Sequence, residues 1–228
     1  MLNTRKKLKI LSSMNMVLPL ITLCAATACT ERSGSDKSTI NTSVHDADTL
    51  QLTKSAEQHT PLLDIKDIKQ AYANTNKELI DGQLDSTTFK YSCKDEKNGT
   101  VSYFTKNGKL KLIVHRYNEY DHYSAVDRYF VQDSTLFFTY HTNVTWSFEN
   151  GPEGSTKDNI KENRTYLIAQ KPIKCLEKNF TIHSKASSNP DPESIPNRDV
   201  NCQSAEIVLK PYHILTKYRF KPTADCLE

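Results

Sequence analysis

An alternation of residue types between positions 135 and 149 constrains the fold more than any other stretch of the chain. Leu136, Phe138, Tyr140, Thr142, Val144, Trp146 and Phe148 fall on one face of an extended backbone. Thr135, Thr139, His141, Asn143, Thr145, Ser147 and Glu149 fall on the other, and only Phe137 breaks the pattern. A helix repeats its faces every three to four residues, so a period of two demands a strand. One dry face and one wet face are what an antiparallel sheet offers. The stripe ending in Trp146 and Phe148 is therefore assigned to the core.

A related unit recurs along the chain. Tyr103-Phe104 leads through Asn107-Gly108 to Leu110, Tyr129-Phe130 through Asp133-Ser134 to Leu136, and Tyr166-Leu167 through Lys171-Pro172 to Ile173. The last apolar residue lies seven places after the tyrosine each time. Each unit reads as a strand, a tight turn and a returning strand. Asn-Gly is a strong hairpin turn because both residues tolerate positive φ, whereas the other two turns rest on register. Three hairpins predict about six antiparallel strands between residues 88 and 184. Longer polar connections are expected at 117–124 and 150–161, where Gly151-Pro152-Glu153-Gly154 excludes regular structure.

Ile65, Ile68, Tyr72, Thr75 and Leu79 recur at steps of three and four, which predicts a helix with one apolar stripe. Thr60-Pro61 is the expected start, Asp64 and Asp67 face the positive end of the helix dipole, and Gly82 is the expected stop. Residues 187–201 carry Pro190, Pro192 and Pro196 and read as a loop. Ser204 then caps a short helix holding Val208, Tyr212 and Leu215, which Pro211 is expected to kink or split. The fold class is α+β: an antiparallel sheet of about six strands in a hairpin meander, packed by an N-terminal helix. A small curled β-barrel is the alternative.

The chain opens with Arg5, Lys6, Lys7 and Lys9, continues with an apolar run from Val17 to Leu23, and reaches Ala26-Thr27-Ala28-Cys29. A basic start, an apolar middle and small residues before a cysteine resemble a bacterial lipoprotein export signal. That resemblance implies cleavage before Cys29 and lipid on its thiol and new amine. Ala26 stands where many such signals carry Leu. Cys24 is the poorer candidate because Leu23 precedes it. The implied organisation is a signal peptide at 1–28, a flexible tether at 29–59 and a single domain at 60–228. The tether is rich in Ser, Thr, Asp and Lys and buries too little apolar surface to offset its ordering entropy. The implied location is the bacterial cell envelope, lipid-anchored on the periplasmic or surface face of the outer membrane, with several acyl chains making the anchor stable.

The net charge is +3, part of it in the leader, so nucleic acid is not an expected partner. Six cysteines less Cys24 and Cys29 leave Cys93, Cys175, Cys202 and Cys226. An even number in an exported protein reads as two disulfides. Three pairings are open, and Cys175 with Cys202 is preferred because both bound the loop-rich stretch after the last strands. No pair has the two-residue spacing of a zinc knuckle, so no metal and no other cofactor is expected.

Hairpin units of this form behind a lipoprotein leader and one helix resemble the small uncharacterised lipoproteins common in Bacteroidota, from about residue 60 onward. That family carries no assigned chemistry. Asp48-Thr49-Leu50, Asp85-Ser86-Thr87 and Asp133-Ser134-Thr135 are similar to the O-glycosylation acceptor of that phylum, and Asp-Ser and Asp-Thr steps are also turn formers. Tyr91-Ser92-Cys93 followed by Gly99-Thr100-Val101-Ser102-Tyr103-Phe104 is similar to the opening of the small lipoproteins that inhibit lysozyme. That second resemblance implies a loop serine entering the target's cleft, and Ser124 is the position carried over, without the glycine expected beside it.

His115, Tyr117, Glu119, Tyr120, Asp121, His122 and Tyr123 crowd one inter-hairpin segment. No ligand spacing in it suits a metal. Tyrosine offers large contact area at low entropic cost, so Tyr117, Tyr120, His122, Tyr123 and Ser124 are the candidate partner-contacting residues. The chain has no Gly-x-Ser-x-Gly elbow, phosphate-cradling glycine loop or His-Glu-x-x-His, so no catalytic residue is expected. The function these features point to is a non-enzymatic envelope lipoprotein that binds a protein or glycan. A lysozyme-inhibitor-like defence lipoprotein is the alternative.

Overall fold

The computed structural model describes residues 61–228. The signal peptide, the tether, Cys29 and Asp48 lie outside the described residues. Among those described, no helix is long and apolar enough to cross a membrane.

The domain is an open antiparallel sheet whose eight strands lie in sequence order. They are β1 (Asp85–Cys93), β2 (Lys97–Lys106), β3 (Lys109–Glu119), β4 (Tyr123–Gln132), β5 (Thr135–Phe148), β6 (Thr156–Ile168), β7 (Lys171–His183) and β8 (Arg198–Val200). The three expected hairpins are β2–β3, β4–β5 and β6–β7, while β1 and β8 extend the sheet at its edges. The sheet does not close into a barrel.

The turns explain the register. Asn107 and Gly108, Asp133 and Ser134, and Ala169 and Gln170 all have positive φ. Two-residue loops of that hand match the right-handed twist of the strands they join. The third turn was expected at Lys171-Pro172 and lies earlier, at Ala169-Gln170. Proline is held near φ −65° and cannot occupy a position that requires positive φ. It sits instead within β7, opposite Leu167.

Each hairpin also carries a bulge just past its turn. Pairing passes over Lys111, Phe137 and Ile173, each on the returning strand. An extra residue on one strand reverses which way the following side chains point. This is why Phe137 interrupts the alternation, and it corrects the expected single stripe. Leu136 packs with Tyr129, Val131, Leu167 and Tyr212 on one face. Phe138 packs with Ile68, Phe130 and Tyr166 on the other.

Helix α1 (Ile65–Ile80) covers the Phe138 face through Ile68, Tyr72 and Leu79. Its N-cap is Asp64, whose carboxylate accepts from the Asp67 N–H at 2.9 Å, so the helix begins after the expected Thr60-Pro61. Gly82, at φ +68°, follows its C-terminal end. Helix α2 (Ala205–Lys217) covers the opposite face with Tyr212 and Leu215. Ser204 caps it by accepting from the Ile207 N–H. Pro211 lies inside this helix without splitting it. The Tyr103 hydroxyl donates to the Leu215 carbonyl at 2.7 Å and the Tyr212 hydroxyl to the Ser134 carbonyl at 3.2 Å. These bonds fix α2 over one end of the sheet.

Two disulfides hold the C-terminal segment in place. Cys175–Cys202, the preferred pairing, ties β7 to the approach to α2, and Cys93–Cys226 ties the end of β1 to the tail. The Ser92 N–H donates to the Ala224 carbonyl beside the second bridge.

Candidate functional site: a polar cleft beneath the C-terminal helix

Antiparallel register lines up residues from five strands on the α2 face. His115, Asp127, His141, Asn163 and Glu177 form one row across β3 to β7. Tyr117, Ala125, Asn143, Lys161 and Asn179 form the next. Tyr212 and Leu215 of α2 press on the apolar end of this face, around Tyr103 and Tyr129. The N-terminal half of α2 stands over the polar rows and encloses a cleft of about 600 Å³. Ile207, Val208 and Pro211 form its helical wall, and Tyr117 and Tyr123 stand at its outer end. Ala125, with no side chain beyond Cβ, lies between Tyr117 and Asn143 in the second row.

The ionisable side chains of this cleft engage one another in pairs. His141 Nδ1 lies 2.8 Å from Asp127 Oδ1, and Lys161 Nζ lies 2.6 Å from Glu177 Oε2. Arg198 adds a contact to Glu177 at 3.3 Å. The Tyr123 hydroxyl donates to Asn143 Oδ1 at 3.0 Å. The rings of Tyr117 and Tyr123 lie side by side with centroids 6.1 Å apart. Burial, reinforced by the Asp127 carboxylate, holds the Tyr117 phenol well above its ordinary range. Thr139 lines the cleft at 0% exposure, and its Oγ1 has no hydrogen-bond partner in the chain.

His115 lies at the inner end of the row. Its Nε2 is 2.8 Å from the Tyr91 hydroxyl, and its ring stacks on Tyr117 at 4.5 Å. Burial pushes its pKa down to about 4, against a smaller upward pull from Asp127. An unfolded histidine titrates near 6.5. Between these values the unfolded chain binds more protons than the folded one. This contribution to stability is therefore complete above pH 6.5 and falls as pH is lowered towards 4, by about 3 kcal/mol. Urea midpoints compared at pH 7 and pH 4 are expected to show this drop, and His115→Gln is expected to flatten it.

The candidate residues read from the inter-hairpin segment do not form one site. Residues 117–124 are two strand ends and a tight turn rather than a long loop, since β3 runs to Glu119 and β4 begins at Tyr123. Tyr117 and Tyr123 line the cleft. Tyr120 lies in the turn, 70% exposed at φ +51°, and His122 packs on Trp146 with ring centroids 4.1 Å apart. Ser124 is the second residue of β4 and pairs with Asn118 and Val144. It is not on a loop, as the inhibitor resemblance implies. The 150–161 connection is also shorter than expected, since β6 begins at Thr156. Phe148, expected in the core, is 71% exposed.

Asp127, Thr139, Asn163 and Glu177 carry the cleft but were not among the candidates. Thr139, His141 and Asn143 belong to the wet side of the alternating segment, and that polar stripe was the available signal. Among the described residues, no three His, Cys, Asp or Glu side chains gather as metal ligands. No family model, curated protein or solved structure matches this chain.

Proposed function

We propose that this chain is a non-enzymatic, lipid-anchored envelope protein that captures a protein or glycan partner in the cleft beneath α2. One observation carries the reading: the large cleft is walled by Tyr117, Tyr123 and the apolar side of α2 and floored by polar side chains from consecutive strands. Binding sites combine this kind of apolar wall with a few fixed polar groups. The basic, apolar and small-residue segments ending at Cys29 support export and anchoring. The disulfides fit an oxidising compartment.

Two measurements test this function. Intact mass of the protein recovered from producing cells is expected to show a chain beginning at Cys29 with acyl groups attached. A chain retaining its leader contradicts the anchor. Envelope components that co-purify with the wild-type protein after mild cross-linking are expected to be lost from Tyr123→Ala and kept by Lys66→Ala on α1. Equal recovery with both variants contradicts capture in the cleft.

A further inference from the structure

We infer that the ligand of this cleft is an uncharged saccharide segment, an inference that rests on the cleft being the capture site. Volume permits it, since about 600 Å³ lies within the roughly 300–1,000 Å³ of small-molecule sites. Electrostatics then narrows the class. An anionic ligand needs a free cation, but of the two cations lining the cleft Lys161 is held by Glu177 at 2.6 Å and Arg164 by Glu162 at 3.0 Å. A cationic ligand needs an accessible carboxylate, but Asp127 is 8% exposed with its Oδ1 2.8 Å from His141 Nδ1, and Glu177 is held by Lys161 and Arg198. Displacing these partners within a half-enclosed site costs the ligand much of what its own charge would gain.

Uncharged polar groups remain as the means of recognition. Thr139 is fully buried, lines the cleft and has no partner for its hydroxyl within the chain. A buried hydroxyl without a partner is destabilising, and a ligand hydroxyl can both donate to it and accept from it. Asn143 and Asn163 supply amides in the two adjoining rows. Ligands bearing many hydroxyl groups suit side chains that each donate and accept.

The walls fit the other character of a sugar ring, its C–H faces. Tyr123 offers aromatic surface at one end, beside a Tyr117 ring covered by His115 and by the Lys97 ammonium 3.9 Å from its centroid. Ile207, 55% exposed, offers aliphatic surface on α2. A purely apolar ligand would fill the cleft but leave Thr139 unpaired and strip water from both asparagines. A peptide bound by strand addition needs an exposed sheet edge. The floor strands β4, β5 and β6 are interior, with neighbours on both sides.

The test is isothermal titration of the detergent-solubilised full chain against three sets of probes. These are neutral gluco-, manno- and chito-oligosaccharides, uronic-acid oligosaccharides, and short peptides. Binding of at least one neutral oligosaccharide is expected, with little dependence on salt. Asn163→Ala is expected to weaken it about tenfold, the effect of one lost hydrogen bond. Thr139→Val is nearly isosteric and removes the orphan hydroxyl, so it is expected to raise the thermal midpoint while weakening binding. A merely structural threonine would not move those two readouts in opposite senses.

The inference is overturned if only acidic sugars or peptides bind, if no neutral probe binds at millimolar concentration, or if both variants bind like wild type. When neutral probes fail while Tyr123→Ala still loses its captured partner, the saccharide assignment falls and capture in the cleft stands. When Tyr123→Ala keeps the partner, both fall.

Discussion

Replacing Cys93 and Cys226 together with alanine is expected to destabilise the domain by about 5 kcal/mol. The bridge closes a loop spanning 133 residues of sequence separation, and closing a longer loop removes more entropy from the unfolded chain. By the same relation, Cys175–Cys202, with a separation of 27, contributes about 3.5 kcal/mol. The first loss is comparable to the whole net stability of many domains, roughly 5–15 kcal/mol. The expected order is wild type above Cys175→Ala/Cys202→Ala, and that variant above Cys93→Ala/Cys226→Ala, in guanidinium denaturation without reductant. The effect has a structural location. The tail carrying Cys226 lies against the edge strand β1, where Ala224 accepts from Ser92. Loss of this bridge frees the chain that follows α2. An equal or reversed order of the two double variants would contradict this account.

Phe130→Ala is expected to cost about 4 kcal/mol, the usual penalty for emptying a core site of an aromatic ring. Phe130 is 0% exposed, and its ring lies 4.9 Å from Tyr72, 5.7 Å from Phe138 and 6.3 Å from Phe137. Tyr72 belongs to α1, so the cavity would open where that helix meets the sheet. Phe148→Ala removes the same side chain from an exposed position and is expected to change stability by no more than about 0.5 kcal/mol. Thermal or urea unfolding of both variants checks the contrast. Comparable losses would mean that the strand end carrying Phe148 is buried in solution.

That contrast shows how far periodicity reaches. Alternation identified β5 and the antiparallel class because it reports which way side chains point. It does not report what stands over them. Phe138 meets α1 and is buried, whereas Phe148, five steps further along the same alternation, touches the Trp146 ring and stays exposed. The hairpins were legible because Asn107-Gly108 and Asp133-Ser134 carry turn chemistry at a fixed distance from a tyrosine. The third turn was misplaced by the same counting rule. Tyr166 faces α1, whereas Tyr103 and Tyr129 face α2. That repeat is therefore one residue out of phase. β1 and β8 lack a strong alternating pattern, and β8 is only three residues long.

The cleft was less legible than the fold because cross-strand neighbours are distant in sequence. Asp127 and His141 are 14 positions apart, and no local spacing relates them before register is known. A cluster of tyrosines and histidines in one segment did bring Tyr117 and Tyr123 to notice. It also included Tyr120, His122 and Ser124, which the turn and the alternation of β4 direct elsewhere. The cleft also needs α2 above the sheet, and that placement depends on Tyr103, Tyr212 and the second disulfide rather than on any motif.

Site-specific photocross-linking in intact cells tests capture in the cleft most directly. A photoreactive amino acid would replace Asn143 in the cleft, Lys66 on α1 or Tyr120 in the β3–β4 turn of the full chain. Irradiation is expected to give a discrete higher-mass adduct from position 143 and none from position 66. Adducts from position 120 without any from position 143 would contradict the account, and would move recognition from the cleft to the rim of the sheet.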